Sequence, residues 1–440
     1  MQFSWKKIIA VTCVGAVLFS CTSCNNIGNA TVLAEPATAE EFAHNERTEE
    51  FYAFTDKVND FSAKFASTIY EDENVNNFAV SPLSVFMGLS MASACANGET
   101  QNEILSALNV SQAELQTNIP LLYRSLQWET KTENFIGIKK ETGKFLLTNS
   151  IWVDKQITAK QDCLDVLSNQ YFCHVLSTDF INDNQGSNKA IRNFVKKQTN
   201  GLIDTPFHYT PLTGFTLLNT LYLKDLWNSL GDDLPYADGE YSFENTDGTT
   251  TEKRLLRGYY REGRAYETGT FSSFFTSTRR GYKIKFILPK DGYSIQDVFT
   301  AENVDAINAI DDYQPLDHEN MLAYNTRCLF PEFSASFDNE LSFLLQQAFR
   351  ISSLFDLERC DFTTLTDSPA YCTSVRHCAQ LKVNKKGIEG AAITVIPGAG
   401  APGPGEYEPV YVDFVVDRAF GFVISDPYDV PIFSGVIEKL

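Results

Sequence analysis

The feature that most constrains this chain is the segment 387–405, G-I-E-G-A-A-I-T-V-I-P-G-A-G-A-P-G-P-G. Its first half predicts a strand of small residues, and its second half contains only Pro, Gly and Ala. No charged residue stands between Glu389 and Glu406, so the segment could lie inside a sheet without burying a charge. The Pro/Gly half is typical of an exposed loop that proteases cut. Together these properties predict an element with two alternative positions, one outside a sheet and one within it.

Alternation along this segment predicts which of its side chains would be buried. Successive side chains of a strand point to opposite faces, so Glu389 is expected to face solvent with Ala391, Ile393 and Val395. The opposite face carries Ile388, Gly390, Ala392, Thr394 and Ile396. These uncharged residues form the face that could be buried.

The N-terminus predicts export. Two lysines precede an apolar run over 8–19, which is typical of a secretory signal peptide (1–20) and too short for a spanning helix. Cys21 follows in a context that resembles the lipobox of bacterial lipoproteins, where the cysteine thiol is acylated. Phe19 occupies a position that is usually small, so Cys24 is a second candidate. The alternative is an ordinary signal peptide cleaved nearby; with lipidation, the chain would be a cell-surface lipoprotein held by its N-terminal anchor.

Beyond the signal, the chain is expected to form one extracellular domain. Residues 21–49 are polar and without periodicity, which predicts a flexible tether. No repeat or second linker interrupts 50–440, so this part is expected to be a single domain. The net charge of -20 argues against nucleic acid or anionic lipid as the main partner. The domain is expected to be a monomer without a cofactor.

The cysteines of the domain do not predict a disulfide framework. They are odd in number and spread over a large domain, so most are expected to be small buried apolar side chains. No C-x-x-C pair lies in the domain, and no metal is expected. The residues are Cys95, Cys163, Cys173, Cys328, Cys360, Cys372 and Cys378.

Hydrophobic periodicity predicts a mixed α+β fold, with helices first and strands dominant later. A helix is expected over 50–70, where apolar residues recur every three or four positions. Another is expected after Ser81 and Pro82, which suit a helix cap and a first turn, and a short one over 343–349. Strands are expected at 148–153, 216–223, 282–288, 379–383, 410–416 and 420–424.

Catalytic motifs in the sequence are incomplete. Residues 398–403 match the G-x-G-x-x-G dinucleotide pattern by letter, but Pro402 prevents the helix that this pattern requires. His377 stands beside Cys378, yet neighbours on a strand point to opposite faces, so a catalytic pair is not expected. The chain is therefore not expected to be an enzyme.

A series of short motifs resembles the serpin family of serine protease inhibitors. Residues 382–392 are similar to the hinge of the serpin reactive loop, with Gly387 at its glycine. Each motif is weakly specific alone, but together they follow the family's order over roughly 50–440. The other motifs lie at 77–84, 97–100, 148–152, 198–201, 218–227, 331–333, 361–362, 377 and 417–420.

The resemblance implies the serpin fold: helices around a large mixed central β-sheet, two smaller sheets and an exposed reactive-centre loop at about 387–409. It also implies a suicide substrate for extracellular serine or cysteine proteases. The protease would cleave the loop, form an acyl-enzyme and be trapped as the freed strand inserts into the central sheet. The alternative is a non-inhibitory serpin-fold binding protein, because Ile388 stands where inhibitory members usually carry Thr or Ser and Pro397 removes a ladder donor.

The resemblance also implies roles for individual residues. Trp227 resembles the aromatic residue at the top of the sheet, in the breach where insertion begins. Four residues resemble the hydrogen-bonded shutter beneath the parting strands: Ser81, Ser84, Asn219 and His377. The hinge of the loop would comprise Gly387, Ile388, Glu389, Gly390, Ala391 and Ala392.

The scissile bond is left open between two parts of the loop. Family spacing from the hinge glycine reaches Ala401, but a bond before Pro402 is poor for most proteases. Small residues at this point favour an elastase-like target, whereas a cut after Tyr407 would favour a chymotrypsin- or subtilisin-like one. The candidates for the residue before the cut are Ala399, Gly400, Ala401 and Tyr407.

Overall fold

The computed structural model describes residues 28–40, 42–43, 46–72, 76–129, 133–135, 138–140, 143–228, 233–261, 264–308, 314–315, 324–372, 375–388 and 410–440. The helices of these segments are α1 (Glu49–Asp72), α2 (Pro82–Cys95), α3 (Gly98–Leu108), α4 (Gln112–Leu126), α5 (Gln161–Gln170), α6 (Asn184–Gln198), α7 (Ile295–Val298), α8 (Ala301–Asn308) and α9 (Ser342–Gln347).

Most of the remaining regular structure is β-strand. In chain order the strands are β1 (Thr31–Ala34), β2 (Asn77–Val80), β3 (Trp128–Glu129), β4 (Glu133–Phe135), β5 (Ile138–Lys140), β6 (Lys144–Asp154), β7 (Cys173–Thr178), β8 (Phe215–Leu226), β9 (Tyr241–Glu244), β10 (Thr250–Lys253), β11 (Leu255–Arg261), β12 (Arg264–Glu267), β13 (Phe271–Ser277), β14 (Lys283–Pro289), β15 (Gln314–Pro315), β16 (Tyr324–Pro331), β17 (Phe333–Glu340), β18 (Arg376–Asn384), β19 (Gly387–Ile388), β20 (Val410–Val415), β21 (Phe420–Ser425) and β22 (Pro431–Ile437).

The central sheet positions the candidate site. Its strand order is β1-β7-β6-β8-β19-β18-β17, and β3 pairs with the start of β6. β6 and β8 form a long antiparallel ladder, β7 runs parallel to β6, and β17 pairs antiparallel with β18. The sheet therefore consists of two well-paired halves, β1-β7-β6-β8 and β18-β17, that are joined through the two residues of β19.

Two smaller sheets complete the α+β fold. One has the order β15-β12-β13-β14-β21-β22-β2, and the other has β11-β16-β20. Two short ribbons, β9 with β10 and β4 with β5, were not expected from the sequence. The predicted architecture, with helices around a large mixed sheet and smaller sheets, is confirmed.

The periodic segments became the elements that their patterns predicted. The apolar stripe of α1 is buried, with Phe54, Val58 and Phe65 at most 1% exposed. α2 is apolar on all sides and is buried almost throughout, because it lies between α1, α3 and the strands β8 and β22. Ser81 caps α2, as expected, by accepting a hydrogen bond from the Ser84 amide. No helix in the described segments is both long and apolar enough to span a bilayer.

The N-terminal segment departs from the tether that was predicted over 21–49. Residues of β1 pair antiparallel with β7, with Thr31 opposite Ser177, and extend the central sheet by one strand. Beside the strand, Glu35 lies 3.2 Å from His174. The sequence T-V-L-A is too short to show an alternating pattern, and it forms a strand because the unpaired edge of β7 offers it hydrogen bonds. The prediction of a flexible tether is therefore wrong for this part.

A buried ion pair lies between the second sheet and α8. Lys285 is fully buried; its ammonium group lies 2.7 Å from Asp429 and donates to the carbonyl groups of Ile307 and Asn308. Burial lowers the pKa of Lys285, while the neighbouring Asp429 carboxylate opposes that shift. A buried charge is tolerated only when it is paired and hydrogen-bonded, so Asp429 holds the ammonium group in place.

We expect Asp429→Asn to lower the stability of the fold by about 3 kcal/mol, because the buried Lys285 ammonium loses its counter-charge. The measurement is the midpoint of urea-induced unfolding followed by far-ultraviolet circular dichroism. Asp291→Asn is the matched control, since the Asp291 side chain is 99% exposed beside Arg418 and its loss is expected to leave the midpoint unchanged. Equal midpoints for both variants would contradict a stabilising role of the buried pair.

Candidate functional site

The start of the predicted reactive loop lies inside the central sheet. Gly387 and Ile388 form β19, which pairs antiparallel with β18 on one side and with β8 on the other. Ile388 lies between Asp225 and Val383, and its side chain is fully buried. The first two hinge residues therefore already occupy the position of a strand between β8 and β18.

The glycine at this position is required by a close backbone approach. A Cβ atom added to Gly387 would lie 2.0 Å from the carbonyl oxygen of Asp225 and 2.9 Å from the Cα atom of Leu226. Non-bonded heavy atoms do not approach so closely, so a larger residue would have to move the strand. Gly387 is needed for this contact rather than for a left-handed turn.

The turn that leads into β19 is fixed by side chains at the same end of the sheet. Trp227 is fully buried and donates from Nε1 to the carbonyl oxygen of Asn384 at 2.6 Å. Glu332 accepts a hydrogen bond from the backbone amide of Lys385 at 2.7 Å and another from the hydroxyl of Tyr236 at 2.8 Å. These contacts hold the chain at the point where the loop enters the sheet.

Below β19 the two halves of the sheet are not paired with each other. Between the described residues, no ladder joins β8 to β18 outside the two residues of β19. A cavity of about 100 Å³ lies at the other end, lined by Phe215, Asn219 and His377 of the strands and by Gly88 and Ala92 of α2. We call the strip between β8 and β18, from β19 down to this cavity, the gap.

The four predicted shutter residues come together beside the gap. The Ser81 amide donates to Nε2 of His377 at 3.0 Å, which attaches α2 to β18. The Ser84 hydroxyl donates to the side-chain oxygen of Asn219, which attaches α2 to β8. Asn219 also donates to Asn149 of β6 at 2.7 Å. The N-terminal end of one helix is thus hydrogen-bonded to both strands that flank the gap.

Burial keeps His377 neutral. The ring lies near Phe65 and Phe337, with centroid distances of 6.2 Å and 6.0 Å. Burial lowers its pKa to about 4, against a weaker opposite effect of the Asp338 carboxylate. Because Nε2 accepts the Ser81 amide hydrogen, the proton of the neutral ring is on Nδ1. Protonation of Nε2 would abolish this acceptor and break the contact between β18 and α2.

The other predicted site residues lie outside the described part of the chain. They are Glu389, Gly390, Ala391 and Ala392 of the hinge, the scissile-bond candidates Ala399, Gly400, Ala401 and Tyr407, and the lipidation candidates Cys21 and Cys24.

Two residues at the site had no predicted role. Asn149 lies in the motif at 148–152, which was predicted to be a strand. Glu332 lies in the motif at 331–333, to which no function was assigned. Their hydrogen bonds join segments far apart in the chain, so only the motif membership pointed to them.

Among the described residues, no group of three or more His, Cys, Asp or Glu is placed to hold a metal ion.

We expect Gly387→Ala to displace β19 from the sheet, because the added Cβ atom would collide with the Asp225 carbonyl. Trp227 would then change its surroundings, so its fluorescence emission is expected to shift and the loop to be cut faster by thermolysin. Gly269→Ala is the control, since an added Cβ atom there meets no atom within 4 Å. Unchanged emission and cutting in Gly387→Ala would contradict the close contact.

We expect His377 to make stability depend on pH. Its pKa is about 4 in the folded chain against an ordinary value of 6.5, so the unfolded chain binds the proton more readily between these values. The stabilisation that depends on a neutral His377 is complete above pH 6.5 and is lost as pH falls towards 4; the free energy of unfolding then falls by about 3 kcal/mol in total.

The test compares the thermal midpoints of the native chain and His377→Gln from pH 7.5 to 4.5. The difference between the two thermal midpoints is expected to change as pH falls, because only the native chain loses the stabilisation by neutral His377. Burial raises the pKa of Asp426 to about 7, and its effect on stability runs in the opposite direction. Asp426 is present in both proteins, so the difference isolates His377. Parallel pH curves would contradict the role of the buried imidazole.

The comparisons with known proteins agree with this geometry. A family model described as serpin (serine protease inhibitor) matches residues 56–439. Iripin-1 of Ixodes ricinus is 26% identical over 394 residues, which cover 87% of this chain and 93% of the relative. The crystal structure of the thermophilic serpin tengpin in its native state has a TM-score of 0.72 at 20% identity, covering 94% of this chain and 100% of tengpin.

Human thyroxine-binding globulin, crystallised with its hormone, has the same fold, with a TM-score of 0.69 at 20% identity over 89% of this chain and 99% of the globulin. At such identities a structural likeness is evidence for the fold alone. The family match is stronger evidence, because it begins within α1 and runs to the residue before the C-terminus. On this match the chain belongs to the serpin family, whose description is the inhibition of serine proteases.

Proposed function

We propose that this serpin inhibits an extracellular serine protease as a suicide substrate, by loop cleavage followed by insertion of the loop into the gap. The observation that carries the proposal is β19, which already occupies the top of the gap with backbone hydrogen bonds to both neighbours. The freed strand would continue an existing ladder rather than start a new one. Cysteine proteases also form acyl-enzymes, so the same mechanism would trap them.

The register of β19 gives the length of strand that the gap would accept. Ile388 stands opposite Asp225, and the strand β8 begins ten residues earlier, at Phe215. Advancing the loop by the same ten residues from Ile388 reaches Gly398. The gap is therefore long enough for the uncharged segment from the hinge to the first half of the Pro/Gly run.

The same register supports the predicted buried face. Ile388 is buried, so Gly390, Ala392 and Thr394 would follow on its side of the strand. Six residues beyond Ile388, Thr394 would stand between Asn219 and His377, whose positions lie six residues before Asp225 and Val383. A hydroxyl group between these two polar side chains suits an inserted strand better than an apolar group would.

The energy of insertion is large enough to make the step irreversible. If each new ladder bond contributes about 1 kcal/mol, about ten residues would gain on the order of 10 kcal/mol before side-chain burial. Pro397 lacks one backbone donor and costs about one of these bonds. Before cleavage, a kinetic barrier would therefore keep the loop out of the gap, and cleavage would remove that barrier.

The position of the cut follows from the length of the gap. A protease attached just beyond Gly398 would be carried towards the far end of the sheet, by about 33 Å if the ten residues after Ile388 insert. This favours cleavage after Ala399 or Gly400, with Ala401 next, over cleavage after Tyr407. Small residues before the cut favour an elastase-like protease.

We also propose that the protein acts outside the cell that makes it, exported by its signal sequence and held by a lipid on Cys21 or Cys24. The apolar run over 8–19 and the cysteines that follow support this location. A bacterial lipoprotein of this type would protect the cell surface from proteases in its surroundings.

The test is a denaturing gel. The chain, produced with its own N-terminal segment, is incubated with an elastase-like serine protease, and the released C-terminal peptide is weighed by mass spectrometry. A stable band at the summed mass of the two proteins is expected, together with a peptide that begins at Gly400 or Ala401. Cleavage of the loop by elastase-like and chymotrypsin-like proteases without this band would instead support the alternative, a non-inhibitory serpin-fold binding protein.

A charge at the entry to the gap is expected to separate cleavage from trapping. Ile388→Arg would place a guanidinium group in a fully buried position, so the loop should still be cut while the stable band falls at least tenfold. Ile388→Thr is the matched control and is expected to retain the band, because Thr is uncharged and smaller. Equal trapping by the two variants would overturn insertion through this position.

A further inference from the structure

Two thiol groups are in contact at the opposite end of α2 from the shutter. Cys95 is the last residue of α2, Cys163 lies in the first turn of α5, and their Sγ atoms are 3.9 Å apart. Both residues are buried, at 0% and 2% exposure. We propose that Cys95 and Cys163 form a disulfide bond when the chain folds in an oxidising environment.

The local geometry favours this pair over other pairings. An S–S bond is about 2.05 Å long, so the two sulfur atoms need to approach by about 2 Å, which rotation of both side chains would have to supply. The thiol of Cys173 lies 3.5 Å from the carbonyl oxygen of His174. The thiols of Cys360 and Cys378 donate to oxygen atoms of Ala370 and Asp338.

The thiols differ in their readiness to react. The contact with Cys95 lowers the pKa of the Cys163 thiol, whereas the same contact and burial raise the pKa of the Cys95 thiol. Cys163 is therefore the thiol that more readily becomes the attacking thiolate.

The reaction is a thiol–disulfide exchange with an external disulfide, either oxidised glutathione or a disulfide oxidoreductase. The Cys163 thiolate attacks one sulfur of the oxidant, which releases one thiolate and leaves a mixed disulfide. The Cys95 thiolate then attacks the Cys163 sulfur and releases the second thiolate. The two protons lost by the cysteines pass to the two released thiolates, so the oxidant is reduced to two thiols. Because both cysteines are buried in the folded chain, the exchange takes place late in folding, when α2 and α5 have brought the two thiols into contact but the oxidant still reaches them.

The bond would fasten α2 to the half of the sheet that carries β7. α5 packs on β7, and the other end of α2 carries Ser81 and Ser84 beside the gap. The cross-link would also close a long loop in the unfolded chain, which raises stability. The oxidised chain is therefore expected to unfold several degrees above the reduced one.

The test refolds the full chain with a mixture of reduced and oxidised glutathione. Free thiols are then alkylated under denaturing conditions, and tryptic peptides are mapped by mass spectrometry without reduction. The expected result is a linked pair of peptides that contain Cys95 and Cys163, which dithiothreitol separates with a gain of two hydrogen atoms. Absence of this linked pair, or a link from either residue to Cys173, would overturn the proposal.

Variants provide the control on stability. Cys163→Ser is expected to remove the difference in thermal midpoint between the oxidised and reduced chains. Cys328→Ser, which alters an equally buried thiol in β16, is expected to retain it. An equal difference in both variants would overturn the proposal, and the peptide map of the unaltered chain decides the question if either variant fails to fold. None of these outcomes depends on protease inhibition.

Discussion

The hydrogen bonds that attach one end of α2 to both β8 and β18 are the interaction on which the rest of the site depends. Ser84 contacts Asn219 on one strand and Ser81 contacts His377 on the other. Backbone hydrogen bonds do not join these strands below β19 within the described residues, so the buried helix beneath them maintains their spacing. A sheet held together from below can accept a further strand without losing its core.

The position of β19 explains why small residues matter at the hinge. Gly387 passes within contact distance of the Asp225 carbonyl, and Ile388 fills the space between two strands that are already hydrogen-bonded elsewhere. Each further pair of residues that enters the gap gains backbone hydrogen bonds to both neighbouring strands and buries one side chain. A charge-free sequence of small residues is therefore the property that allows the loop to lie outside or inside the sheet.

Sequence patterns predicted the regular elements better than the contacts between them. The apolar stripe of α1 and the cap at Ser81 depend on neighbours three or four residues away, which any sequence shows directly. β1 was missed because four residues without alternation form a strand only where β7 leaves an edge to pair with. The proximity of Cys95 and Cys163 was missed for the same reason, since it depends on how α5 lies against the end of α2.

The sequence by itself determined that the chain has a mixed fold, an uncharged segment fit for insertion and a glycine at its start. These follow from local composition, because burial of a charge or a crowded backbone is costly wherever it occurs. The family resemblance grouped His377 with Ser81, but only the tertiary structure shows that the Ser81 amide donates to Nε2 of His377, 296 residues away, and that Ile388 already lies between β8 and β18. Such pairings depend on the register of strands and the placement of a buried helix, which are set by packing across the whole domain.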